Sequence, residues 1–235
     1  MSNLYLIRHG QAGTRHHYDT LSDLGRMQAR LLGEHLAAQG IEFAAAYSGG
    51  LERQRQTGAA VADAYAAAGR GFPDAEVHDA WREFDLDHVV RAMAPQLSAA
   101  DPEFRREFEE LRRQAADHSG EIHRRWTSCD VKIIEAWLHE QFPYDGESWS
   151  AFQQRVASAA IPEESDRNIA IFTSATPAAI WAGRALDIHD TRVLRIAGVL
   201  HNASITVLRV RAGQVRLFSM NEVPHLPRPE WRTHR

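Results

Sequence analysis

Short apolar runs alternate with helical stripes at both ends of the chain, and a purely helical pattern fills the middle. Leu4-Tyr5-Leu6-Ile7 is brief, apolar and stopped by Gly10, which predicts a buried strand over Leu4 to Arg8. Ser22 reads as a helix N-cap with Asp23 in the first turn, and Leu24, Met27, Leu31 and Leu36 follow at near-helical spacing. The pattern repeats as a strand over Phe43 to Tyr47, a Gly49-Gly50 turn and a helix through Thr57 to Ala68. It returns as Ile169 to Thr173, then a helix after Pro177 whose face carries Ala178, Trp181, Ala182, Ala185 and Leu186. Ser204 to Val210 and Val215 to Met220 predict a closing hairpin across Ala212-Gly213. Strand, loop and helix in succession build a largely parallel sheet covered by helices.

Between these halves, from about 91 to 160, only helical periodicity is found. Asp101-Pro102 opens a helix with Phe104, Phe108, Leu111 and Ala115 on one face. Ile133, Ile134, Trp137 and Leu138 mark a second helix, and Trp149, Phe152 and Val156 a third beyond Pro143, Asp145 and Gly146. The tail from Pro224 has no periodicity.

Composition narrows the class. The 235 residues are 44% hydrophobic and 25% charged, ordinary globular values, and no apolar run approaches the roughly 18 to 20 residues of a membrane span. No signal-peptide pattern follows Met1, and a single cysteine, Cys129, excludes an internal disulfide, so a cytoplasmic location is expected. A net charge of −4 argues against nucleic acid or an anionic membrane as partner. The 13 histidines show no metal-ligand spacing, and His16-His17 read as loop residues.

Candidate chemistry begins at the end of the first strand. Arg8-His9-Gly10-Gln11 puts an imidazole beside a guanidinium, with a glycine that lets backbone approach, at the sheet edge where ligands of open α/β folds bind. By itself the triplet is equally a strand-end histidine tied to the backbone. Two further segments follow it in order: Thr20-Leu21-Ser22-Asp23-Leu24-Gly25-Arg26-Met27-Gln28 and Ser48-Gly49-Gly50-Leu51-Glu52-Arg53-Gln54-Arg55-Gln56-Thr57. Together they resemble the histidine phosphatase (phosphoglycerate mutase-like) superfamily: a strand ending in RHG, an LSxxGxxQA helix start, and an SxLxRxxxT segment with a second arginine.

That resemblance implies a three-layer α/β/α sandwich around a mostly parallel sheet, one domain over 1–235 with a helical cap insertion over about 91–160. It implies that His9 is the nucleophile, that Arg8 and Arg53 clamp the phosphate, and that Gln11 lines the entrance. Glu83, in Trp81-Arg82-Glu83-Phe84-Asp85, takes the position of the family's proton donor, with Asp85 as its rival. One position departs from the pattern. The family's second histidine follows the late strand, where this chain reads Thr173-Ser174-Ala175-Thr176-Pro177, so Ala175 replaces it. Loss of one such donor costs about 10² to 10³ in rate unless something substitutes; Ser174, Thr176 and the helix amides are the first candidates, and His201 a further one. Gly146-Glu147-Ser148 resembles the GES before the last inserted helix of mutase-like members, and Arg105, Arg106, Arg112, Arg113, Arg124 and Arg125 are either anion contacts or a wet helical face.

The expectation is a phosphatase that hydrolyses a small phosphomonoester through a phosphohistidine, needing neither cofactor nor metal, with a homo-oligomer left open. The alternatives are a mutase-like phosphotransferase and a catalytically weakened phosphate-ligand-binding protein.

Overall fold

The computed structural model describes residues 2–13, 19–115, 127–159, 167–188 and 191–234; His16, His17, Arg124 and Arg125 lie outside these. The chain divides into two compact units, Met1–Glu83 with Arg155–Arg235 and Phe84–Gln154.

The first unit carries a six-stranded sheet in the order β3-β2-β4-β1-β5-β6. Its strands are β1 Ser2–Arg8, β2 Ala45–Ser48, β3 Ala75–Val77, β4 Asn168–Thr173, β5 Ile205–Arg211 and β6 Gln214–Glu222. The pairs among β1 to β4 are parallel, and β5 runs antiparallel to both β1 and β6. Helices α1 Asp23–Ala38 and α2 Glu52–Ala67 bury Leu32, Leu36, Val61 and Tyr65 with Ile7, Ala170, Phe172, Ile205 and Val207 of the sheet. Leu4, Leu6, Ile169 and Ile171 are buried too, and strand alternation points them to the opposite face. There α7, Ala175–Ala185, packs on β1, β5 and β6. Burying each of these large side chains is worth about 1.5 to 3 kcal/mol, so both faces of the sheet contribute.

Several elements differ from their predicted bounds for identifiable reasons. Strand β2 begins two residues after Phe43, whose ring packs instead on Tyr5 at 5.2 Å and Phe72 at 5.4 Å beside the sheet. Helix α2 starts at Glu52 rather than Thr57, because the Gln54 side chain accepts the Leu51 N–H at 3.2 Å and closes a first turn that lacks any Ser, Thr or Asp cap. Strand β3 went unseen in the pattern since its three residues are all exposed. The closing hairpin turns on Ala212 (φ 48°) and Gly213 (φ 74°), the left-handed pair that suits strand twist.

The second unit is helical: α3 Leu86–Ala100, α4 Pro102–Ala115, α5 Ser128–Leu138 and the start of α6, Trp149–Ala157. Each helix has its cap. Asp85 accepts the His88 N–H at 2.9 Å, Asp101 those of Glu103 and Phe104, Thr127 that of Asp130, and Ser148 that of Ala151. Asp85 thus stands immediately before the first helix of this unit. Trp137 is its centre, stacked on Phe84 at 4.7 Å and edge-on to Trp149 at 5.7 Å, with its indole N–H on the Glu147 carbonyl at 3.1 Å. A short helix α8, Val193–Ala197, was not predicted. No helix among the described residues is long and apolar enough to cross a membrane.

Candidate active site

The carboxyl ends of β2, β4 and β1 lie side by side, with Ser48 paired to Phe172 and Arg8 to Thr173. This is the edge from which helices of an open α/β sheet diverge and ligands enter. His9 follows β1 directly and is 2% exposed. Its amide donates to the Thr173 carbonyl at 2.9 Å, and its own carbonyl accepts from Ala203 N at 3.1 Å and Asn202 Nδ2 at 3.3 Å. The ring is fixed as well. Nδ1 lies 2.7 Å from the Gly10 carbonyl, which can only accept, so Nδ1 carries the proton and Nε2 presents a lone pair. Arg53 Nε donates to that Nε2 at 3.2 Å. Burial first, then the charges of Arg53 and Arg8, hold the His9 pKa well below its usual value, against a smaller opposing effect of the Gly10 hydrogen bond. The ring is therefore neutral at physiological pH, the form a nucleophile requires.

The motif residues around His9 explain one another. A Cβ on Gly10 would come within 2.4 Å of the Gly25 carbonyl, and one on Gly25 within 2.1 Å of the Gln11 carbonyl. The glycine of the strand end and the glycine of the helix start thus exist to let two backbones touch. Ser22 caps α1 through the Gly25 N–H at 3.0 Å and donates its hydroxyl to Gln11 Oε1 at 2.8 Å. Gln28 Oε1 accepts the Gln11 N–H at 2.7 Å. Thr57 accepts the Gly10 N–H at 3.1 Å and donates to the Arg53 carbonyl at 2.8 Å, linking the His9 loop to the turn that presents Arg53.

Arg53 sits in the first turn of α2, 7% exposed, with Nη1 paired to Asp19 Oδ1 at 3.0 Å. Arg8 points its fork elsewhere: Nη1 donates to the Leu200 carbonyl and Nη2 to the His234 carbonyl at 2.6 Å. Glu83 Oε2 accepts the Thr176 N–H at 3.1 Å. Ala175 is the first residue of α7. Gln54 joins these parts. Its amide donates to the Trp81 carbonyl at 3.1 Å and to Ser174 Oγ at 2.9 Å, and the same carbonyl takes the Thr173 hydroxyl at 2.7 Å.

Two predicted pairs are therefore in direct contact, His9 with Arg53 and Glu83 with Thr176. Ser174 Oγ accepts from Gln54, which leaves its own hydroxyl proton to donate, and the Thr176 amide serves Glu83. His201 holds Asn221 Oδ1 through its amide at 2.7 Å and stacks 4.2 Å from His234; burial first, then His234, lowers its pKa. Arg105, Arg106, Arg112 and Arg113 are exposed on α4, where Arg113 pairs with Glu110 at 2.8 Å. Pattern reading gave no role to Asp19, Gln28, Gln54 or Thr57. Gln28, Gln54 and Thr57 stood inside the quoted motifs, whereas Asp19 had no signal beyond adjacency to them.

Comparison with known proteins agrees with this geometry. Residues 4–129 and 122–223 match the family described as the histidine phosphatase superfamily (branch 1). The mitochondrial serine/threonine-protein phosphatase Pgam5 of Caenorhabditis elegans is 24% identical over 158 residues, which are 63% of this chain and 52% of that protein, so the match spans about half the relative's length. Among solved structures, Bacillus stearothermophilus YhfR superposes with a TM-score of 0.65 at 19% identity, covering 96% of this chain and all (100%) of that one. A mycobacterial glucosyl-3-phosphoglycerate phosphatase in complex with inorganic phosphate gives 0.58 at 20% identity, over 95% and 98% of the two chains. Fold, motif geometry and family match converge: this chain belongs to the histidine phosphatase superfamily, branch 1.

Proposed function

We propose that the chain is a phosphatase that hydrolyses a small phosphomonoester through a phosphohistidine on His9. The observation that carries this is the His9 ring, buried and neutral, with the Nε2 lone pair turned toward the Arg53 guanidinium. An anion drawn to Arg53 is delivered to that lone pair. In the first step Nε2 attacks phosphorus, the ester P–O bond breaks, and the leaving oxygen takes its electron pair and a proton from Glu83. In the second step a water oxygen attacks phosphorus, the P–N bond electrons return to Nε2, and Glu83 takes the proton of that water. Arg53 and the positive charge of Arg8 offset the charge that spreads over the equatorial oxygens. A phosphate also outcompetes the exposed Asp19 carboxylate for Arg53, having more charge and more acceptor oxygens.

The small-ester reading is supported by the glucosyl-3-phosphoglycerate phosphatase, which aligns over nearly the whole chain. The test is acid-labile labelling of the protein by a phosphomonoester, combined with turnover on small esters and phosphopeptides. Wild type should label and release phosphate, and His9→Ala should do neither. Glu83→Gln should label slowly with alkyl esters, by about 10² to 10⁴, and far less slowly with nitrophenyl esters. Turnover that survives His9→Ala, or confined to phosphopeptides, would overturn the reading.

A further inference from the structure

The last residues of the chain run back into the site, beyond residue 223 where the family match ends. We propose that this segment, Trp231–His234, is a positioning element of the catalytic loop, with Thr233 as its hub acting on His9 and Gln11 through Asn202 and Gln28. The proposal rests on His9 being the nucleophile.

Gln28 and Asn202 are both fully buried, and each spends one end of its amide on the catalytic loop and the other on the tail. Gln28 gives Oε1 to the Gln11 N–H at 2.7 Å, while its Nε2 donates to the Trp231 carbonyl at 2.7 Å and to Thr233 Oγ1 at 3.1 Å. Asn202 gives Nδ2 to the His9 carbonyl at 3.3 Å, while its Oδ1 accepts the Thr233 hydroxyl at 2.9 Å and its backbone N–H meets the Thr233 carbonyl at 2.7 Å.

A primary amide has its acceptor and its donors at opposite corners. Which corner faces the loop is therefore decided by what holds the other corner. Thr233 holds both. It donates its single hydroxyl proton to Asn202, so the same oxygen is left to accept from Gln28, and this orients an acceptor toward Gln11 and a donor toward His9. Reversing either amide would set carbonyl against carbonyl or N–H against N–H in a site closed to water. One residue further, the His234 carbonyl takes Arg8 Nη2, so the same segment also holds the guanidinium of the residue before His9.

The test compares full-length Thr233→Val, which keeps the shape and loses the hydroxyl, with Thr233→Ser, which keeps the hydroxyl. Hydrogen exchange at the Gln11 and Ala203 amides and the His9 ring nitrogen shifts report the loop directly. Turnover of nitrophenyl phosphate and affinity for inorganic phosphate report the chemistry. Thr233→Val should lose about tenfold or more in protection at Gln11 and Ala203 while Ile171 in β4 stays protected, and kcat should fall about tenfold with phosphate affinity nearly unchanged. Thr233→Ser should restore both. Should Thr233→Val not fold, Thr233→Ala, one oxygen short of the serine variant, carries the same expectation. Unchanged Gln11 protection and His9 shifts in the valine or alanine variant would overturn the proposal, as would an equal loss of protection in β4. These measurements need no turnover, so they decide the positioning role even where the wild type proves inactive on every ester.

Discussion

Gln54→Leu should show how much the assembly of this site depends on one buried amide. Gln54 is fully buried and makes hydrogen bonds to the Trp81 carbonyl, Ser174 Oγ and Leu51 N. Leucine has nearly the same volume, so cavity effects are small and the cost comes from the partners left behind. The Trp81 carbonyl keeps the Thr173 hydroxyl, and Leu51 N is near enough to solvent to be rehydrated. Ser174, 1% exposed, bears most of the loss. At about 1 to 3 kcal/mol for a buried group stripped of its partner, the total comes to about 2 to 3 kcal/mol. For a chain of this size that lowers the melting temperature by roughly 4 to 12 °C.

The functional loss should be larger than the stability loss implies. Gln54 adjoins Arg53 and ties the Trp81 turn, two residues before Glu83, to Ser174, two before Thr176. Releasing it lets Glu83 drift relative to His9, and a misplacement near 1 Å costs about 10²-fold in rate. Thermal unfolding and kcat on an alkyl phosphomonoester, measured on the same sample well below its midpoint, separate the two effects. An unchanged melting temperature, or a destabilised variant with full kcat, would refute the reasoning.

An imidazole donor introduced by Ala175→His should raise phosphoryl transfer by up to about a hundredfold, measured as kcat/KM on a nitrophenyl ester; a flat or lower rate means that the site already has its donor. Gly25→Ala forces a Cβ to 2.1 Å from the Gln11 carbonyl, so it should cost about 1 to 3 kcal/mol in denaturant unfolding and shift the Gln11 and His9 resonances in the remaining folded protein. His225 is 6% exposed, neither ring nitrogen has a hydrogen-bond partner among the described residues, and burial pushes its pKa down to about 3. Below its unfolded value of about 6.5 the unfolded chain binds a proton that the fold refuses, so its contribution to stability falls by about 1.4 kcal/mol per pH unit between 6.5 and 3. His225→Leu should therefore gain about 2 kcal/mol relative to wild type on going from pH 7 to pH 5, read from urea unfolding at both pH values; parallel pH profiles would contradict this.

Period and punctuation in the chain were sufficient for the α/β class, the hairpin at Ala212-Gly213 and the caps at Ser22 and Asp101, and the family resemblance of the quoted motifs pointed to His9 and Arg53. These features rest on interactions between near neighbours, or on backbone demands that only a few residue types meet, and such demands leave local marks. The Gly10 and Gly25 pair lies between the two kinds, since each glycine is visible but the reason for it is the other. What the tertiary structure alone decided is which distant groups share a partner. Gln54 is an ordinary helix residue until β4 brings Ser174 and Thr173 beside the Trp81 turn. Asp85, the rival to Glu83 in sequence, becomes a helix cap once α3 forms behind it. Thr233 belonged to a tail with no periodicity, and only the fold returns it to Gln28 and Asn202, 205 and 31 residues away along the chain. A hydrogen bond between such positions imposes one polar residue at each end and no pattern in between, so nothing along the chain announces it.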